Sequence, residues 1–173
     1  MTAELAMTGV ETVQTQKGLA RYRLGDASDE GAIRALTRAA YAKWVPLIGR
    51  EPGPMTADYA AALRAHRFDL LELGGELLAL IETAEEEGVL LIENIAVKPT
   101  LQGQGLGRRL LQRAEAIAIQ GGRRRLRLYT NERFTENLAL YRRVGYQTHH
   151  EEIRPTGVVV HMTKILGEES APA

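Results

Sequence analysis

A chain of 173 residues with 22 basic and 22 acidic side chains is sized for one domain, and its zero net charge speaks against a surface built to grip a nucleic-acid backbone. The absence of cysteine excludes disulfides, thiolate-held zinc, iron–sulfur clusters and a cysteine nucleophile, and it fits a reducing, cytoplasmic setting. No apolar run approaches the ~20 residues of a membrane span, and residues 1–17, with Glu4 and Glu11, lack the basic and apolar regions of a secretory signal.

Residues 1–17 read as a loose polar arm, residues 18–166 as the single domain, and residues 167–173 (GEESAPA) as a tail of disordered composition. Leu19 to Leu24 alternates as a first strand. Ser28 or Asp29 is placed to cap a helix whose Ile33, Leu36, Ala40, Tyr41 and Trp44 recur at helical spacing, with Pro46 as its stop. Ile48 to Met55 reads as a loop, and Thr56 as the cap of a shorter helix through Tyr59, Leu63 and His66. Phe68 to Leu73 and Glu76 to Thr83 form a hairpin about Gly74-Gly75, followed by an acidic turn from Ala84 to Gly88. Val89 to Val97 is the strongest strand, ended by Lys98-Pro99. After the glycine-rich stretch Gln102 to Gly107 comes an amphipathic helix with Leu106, Leu110, Leu111, Ala114, Ile117 and Ala118 on its apolar face. Leu126 to Thr130 is a strand, Phe134 to Val144 a helix, and Tyr146 to Ile153 and Val158 to Ile165 the last two strands. An antiparallel meander that runs into a β-α-β-α-β segment implies a mixed sheet with helices on both faces.

The segment from Glu93 to Leu111 (ENIAVKPTLQGQGLGRRLL) carries the chemistry. Glycines at 103, 105 and 107 let the backbone come close to a ligand, and the helix that follows presents unpaired N–H groups and the positive end of its dipole, a site for phosphate or pyrophosphate. A Walker loop would need Lys-Ser/Thr after Gly107, where Arg108-Arg109 stand. A dinucleotide fingerprint needs G-x-G-x-x-G and an acidic residue after the next strand, where Asn131 stands.

The Q-x-x-G-x-G pattern of Gln102 to Gly107, between a strand ending Ile95-Ala96-Val97 and a helix with Leu110-Leu111, resembles the acyl-CoA-binding motif of the GNAT superfamily of N-acetyltransferases. Asn137 to Tyr146 (NLALYRRVGY) resembles a second segment of that family. The resemblance covers Leu19 to Leu166 in element order and is specific across Ile92 to Tyr146. It implies an α/β (α+β) fold: a mixed, mostly antiparallel sheet of six to seven strands flanked by about four helices. The central parallel strands, here Ile92–Val97 and Leu126–Thr130, would splay apart. It also implies acetyl-CoA as cosubstrate and a primary amine as acceptor, a small molecule before a peptide N-terminus, attacked directly in a ternary complex; a non-catalytic acyl-CoA-binding module of the same fold is the alternative.

By that resemblance Ile95, Ala96, Val97, Gln102, Gly103, Gln104, Gly105, Leu106, Gly107 and Arg108, with Asn137 and Tyr141, hold the donor. Tyr141 is the candidate general acid toward the departing thiolate, although it also reads as a core tyrosine. Asn137 lies one turn before it on the same helix face and also reads as a helix-start polar residue, and Asn131 as a turn asparagine. Glu93, four residues before Val97 and so expected on the same strand face, is the candidate base. Tyr41, Trp44, Arg50, Met55 and Tyr59 flank the proline-rich loop and are the candidate acceptor wall; Tyr41 and Trp44 also read as helix core. The arginines Arg108, Arg109, Arg113, Arg123, Arg124, Arg125 and Arg127 read mostly as a solvated face, some reaching the 3′-phosphate of CoA. His149 and His150, adjacent in a strand, are expected on opposite faces, and no metal site is expected. Val158, Val159 and Val160 would suit a homodimer interface or a buried strand equally.

Overall fold

The computed structural model describes residues 10–167. The remainder of the expected arm, residues 1–9, and of the tail, residues 168–173, lies outside the described residues.

Among the described residues eight strands form one sheet, one more than the upper expectation, because part of the supposed arm joins it. β1 (Thr12–Thr15) pairs antiparallel with β2 (Gly18–Leu24), setting Val13 opposite Ala20. Val13 and Thr15 alternate inward, and burying one apolar side chain and a complete hairpin ladder outweighs the polar composition of the segment.

The helical region then begins at Asp26. Its carboxylate accepts the Ser28 N–H and the Asp29 carboxylate accepts the Asp26 N–H, each at 2.8 Å, a reciprocal cap; Asp29 stands at the N-cap position of α1, as expected, but its side chain bonds back to Asp26 instead of into α1. Arg23 grips Asp29 at 2.7 Å and holds that carboxyl below its usual range. α1 (Glu30–Tyr41) follows. Pro46 does not end the helical path: a 3-10 turn (Ala42–Trp44) leads into α2 (Val45–Ile48), where proline occupies the first turn and its missing N–H costs nothing. Gly49, at φ +71°, makes the stop. The proline-rich loop contains α3 (Gly53–Thr56), and α4 (Tyr59–Ala65) is capped by Asp58, not Thr56, through the Ala61 N–H at 3.0 Å.

β3 (Arg67–Leu73), β4 (Glu76–Glu86) and β5 (Val89–Val97) form the meander, with the last acidic turn shorter than expected because β4 runs on to Glu86. α5 (Leu106–Gln120), β6 (Arg125–Asn131), α6 (Thr135–Arg143), β7 (Gln147–Arg154) and β8 (Gly157–Ile165) complete the chain. The strand order is β1-β2-β3-β4-β5-β6-β8-β7, antiparallel except for β5 and β6. β8 lies between β6 and β7, so Val158 to Val160 belong to an internal strand and the free edge is β7.

Two cores sandwich the sheet. α1 and α4 cover one face with Ile33, Leu36, Ala40 and Tyr59 against Phe68, Leu70, Leu80 and Ala96. α5 and α6 cover the other with Leu110, Leu111, Ala114, Ala118 and Tyr141 against Leu90, Ile92, Leu126 and Leu128. No helix among the described residues is long and apolar enough to cross a membrane.

Candidate active site

The parallel pairing of β5 with β6 runs only from Val89 opposite Arg125 to Ile92 opposite Leu128. Beyond Ile92 the two strands part, as expected for the splayed pair. The Lys98 N–H donates to the Leu78 carbonyl on β4 at 2.9 Å. Backbone groups of a strand alternate between its edges, so those of Ile95 and Val97 point the other way, into the gap. The Val97 carbonyl accepts the Gln102 side-chain amide there at 3.0 Å, and the Ile95 N–H donates to the Tyr41 hydroxyl, which leaves the Val97 N–H facing the gap.

A β-bulge on the other edge of β5 lies where this pairing ends. β4 and β5 slip register where Glu82 faces Asn94 and Thr83 faces Ile92, leaving Glu93 as the extra residue. Leu90 and Ile92 pack on the α5 side, and so does Val97, whereas Ala96 packs under α1. An odd spacing between Ile92 and Val97 on one face requires the bulge. The expected shared face of Glu93 and Val97 is therefore overturned: the bulge reverses the parity, and Glu93 sits with Glu82 and His66 on the α1 side.

Two cavities flank the gap. The first, about 500 Å³, is lined by Val97, Gln102, Gly103, Gly105, Gly107 and Arg108, with α6 opposite. Gly103 and Gly105 adopt φ of +75° and +85°, and a Cβ on either would meet nothing, so their backbone lies open to the cavity. A Cβ on Gly107 would stand 3.1 Å from Leu140 Cδ2, so that glycine serves the approach of α5 to α6. The Arg109 N–H is the first to bond back along α5, to the Gly105 carbonyl; the amides of Leu106, Gly107 and Arg108 have no intrahelical partner. These amides and the exposed Arg108 fit a pyrophosphate. Leu106 is buried in the core and also lines this cavity, whereas Gln104 is tied to the Thr100 carbonyl at 3.2 Å and does not line it. Ala96 is buried on the α1 side and lines neither cavity. Lys43 bridges Gln102 at 3.0 Å and Glu136 at 2.9 Å across the mouth.

The second cavity, about 530 Å³, lies under α1 and the proline-rich loop. Of the residues read as an acceptor wall, Tyr41, Arg50 and Tyr59 line it. Trp44 does not: it lines the first cavity and stacks on Phe134, centroids 4.5 Å apart, because the 3-10 turn after α1 rotates it toward α6. Met55 is buried beneath and lines neither cavity. Phe134, Tyr129, Glu82 and His66 are wall residues that sequence reading missed; Glu82 and His66 carry no local motif and meet only through the pairing of β3 with β4.

The polar groups of this cavity are ordered. Asn94, buried on β5, accepts from the Tyr41 hydroxyl at 3.0 Å and donates to the Tyr59 hydroxyl at 3.2 Å and Thr37 at 3.3 Å. The Tyr59 hydroxyl in turn donates to the Pro54 carbonyl at 2.6 Å. The Tyr129 hydroxyl donates to Glu93 Oε2 at 2.6 Å, and burial, then that carboxylate, pushes the phenol up. His66 Nδ1 lies 2.6 Å from Glu82 Oε1; burial raises the Glu82 carboxyl, against the partial counter-effect of His66.

Tyr41, Ile95, Asn137 and Tyr141 line both cavities. Burial pushes the Tyr141 phenol up to about 12, and its hydroxyl makes no hydrogen bond among the described residues. On the far strands the expected divergence of His149 and His150 fails. A bulge between Thr148 and His150 brings their rings to 5.2 Å, and His150 stacks on His161 at 4.2 Å. Among the described residues no group of three or more His, Asp or Glu could hold a metal ion.

The family model described as the acetyltransferase (GNAT) family matches residues 26–146. Solved structures share the fold. The PaiA N-acetyltransferase from Thermoplasma acidophilum, in complex with coenzyme A, matches with a TM-score of 0.69 at 15% identity, over 83% of this chain and 98% of that one. The ribosomal-protein-S18-alanine N-acetyltransferase from Escherichia coli matches with 0.67 at 20% identity, over 88% and 99%. A GNAT family acetyltransferase from Elizabethkingia anophelis, with acetyl-CoA bound, matches with 0.54 at 19% identity, over 62% and 81%. No curated protein matches the sequence.

Proposed function

The chain belongs to the GNAT acetyltransferase family, and from that premise we propose that it transfers an acetyl group from acetyl-CoA to a primary amine of a small molecule, by direct attack in a ternary complex. The observation that carries this reading is the meeting of two cavities at Tyr41, Ile95, Asn137 and Tyr141, beside the unpaired edge of β5. One cavity has open glycine backbone and helix-start amides suited to a pyrophosphate; the other has aromatic and carboxylate walls suited to an amine.

Acetyl-CoA, when bound, supplies an acyl thioester activated toward amines. The Val97 N–H points into the gap where the thioester carbonyl would develop charge, and one preorganised donor of this kind is worth about 10²–10³ in rate. Glu93 accepts the proton of the entering ammonium, directly or through water, with Tyr129 fixing its Oε2. Tyr141 holds the departing sulfur. A phenol at about 12 is fully protonated at neutral pH, yet full transfer to a thiolate of pKa ~8.5 is uphill by roughly three to four units. Its service is therefore a donated hydrogen bond, and the sulfur receives its proton as the new amide nitrogen sheds one.

The test is thiol release from acetyl-CoA against a panel of amines, amino acids and short peptides, beside calorimetric CoA binding. Turnover on a small amine supports the reading. CoA binding with no release from any member points instead to a binding module, and failure to bind CoA overturns the donor assignment.

A further inference from the structure

The acceptor cavity holds two carboxylates at two distances from the gap. Glu93 comes from β5, whose free edge bounds the gap; Glu82 comes from β4, one strand further away. Neighbouring strands lie ~4.8 Å apart. Glu82 is only 6% exposed. Its Oε1 meets His66, and its Oε2 makes no hydrogen bond among the described residues. A carboxylate so placed is costly unless a cation joins it.

His66 takes only Oε1, and neither arginine of the cavity reaches Oε2. Arg154 is committed to Glu152 through bonds of 2.8 and 2.9 Å. Arg50, on the exposed proline-rich loop, bonds the Glu51 carbonyl at 3.4 Å. Around the two carboxylates stand the rings of Tyr41, Tyr59, Tyr129 and Phe134, faces that attract an ammonium and pack against methylene chains.

An amine must be neutral to attack, so the reacting ammonium gives its proton to Glu93, and Glu82 Oε2 still lacks a partner. We propose that the acceptor carries a second positive charge, seated against Glu82 Oε2 at the inner end of the cavity: an α,ω-diamine or a longer polyamine. This rests on the acetyl-transfer reading above. The acceptor enters with two charges. One proton passes to Glu93 and on to solvent; the N–C bond forms as the C–S bond breaks; the second proton of the reacting nitrogen goes to sulfur; and the product leaves with one ammonium. His66 is a positioning residue that fixes Oε1 and turns Oε2 to the ligand.

The experiment measures kcat/KM by thiol release with the full chain, comparing n-butylamine, its α,ω-diamine and the ω-amino acid of the same length. The diamine is expected to exceed the monoamine by about tenfold or more, the scale of one hydrogen bond to a buried charge, with the amino acid slowest. Glu82→Gln is expected to bring the diamine-to-monoamine ratio close to one, with calorimetric CoA affinity retained as proof that the fold and donor site persist. Equal rates on mono- and diamine, a leading amino acid, or an unchanged ratio in E82Q would overturn the second-charge seat while acetyl transfer stands. CoA binding with no release from any of the three would overturn both.

Discussion

The Tyr41 hydroxyl donates to Asn94 Oδ1 at 3.0 Å, joining the end of α1 to the strand that bounds the gap. The same asparagine holds Tyr59 and Thr37, so one buried amide fixes two lining residues of the second cavity, Tyr41 and Tyr59, together with the buried Thr37. Asn94→Leu leaves three hydroxyls without this partner and is expected to cost about 2–4 kcal/mol. Urea unfolding checks this, and a loss under ~1 kcal/mol would show that the hydroxyls find other partners.

Tyr141→Phe removes the hydroxyl that both cavities share and leaves the ring in place against Tyr146. The expected result is a fall in kcat of about 10² with acetyl-CoA affinity near normal. An unchanged kcat would remove Tyr141 from the departure of the thiolate.

Gly105→Val forces a branched residue to φ +85° and places its side chain in the open space of the donor cavity. The left-handed backbone costs roughly 1–2 kcal/mol of stability. CoA affinity is expected to fall by about tenfold or more, read by calorimetry; full affinity would count against this loop as the pyrophosphate seat.

Burial raises the Glu82 carboxyl, so the folded state binds its proton more tightly than the unfolded chain does. The resulting penalty is absent below the unfolded value of ~4.3 and complete above the folded one. Glu82→Gln is thus expected to have a higher Tm than the parent at pH ~7.5, with the two converging near pH ~4. A parent that is the more stable at the higher pH would mean that His66 more than offsets the burial.

Much of the donor half was legible because it rests on local chemistry. The glycines at 103, 105 and 107 stand in one local motif, and Asn137 and Tyr141 in a segment that the family resemblance singles out; all line the first cavity, with Gly103 and Gly105 at positive φ. The acceptor half was less so. The bulge that turns Glu93 away from Val97 leaves no mark in an apolar run. Glu82 and His66 are sixteen positions apart and meet through strand pairing. Trp44 has the helical spacing of its neighbours, yet a 3-10 turn carries it to the other cavity. β1 hid in a polar arm because only Val13 and Thr15 of its four residues face inward.

On the reading proposed above, the parting of β5 from β6 gives the thioester carbonyl a main-chain partner instead of a side chain. A codon change rewrites side chains and leaves an amide behind, so point mutation can hardly delete Val97 from that duty; only proline, or an ester placed in the backbone, can. The cavity beyond is built from replaceable groups. Drift in this scaffold can therefore change which amine is accepted long before it extinguishes the capacity to acylate.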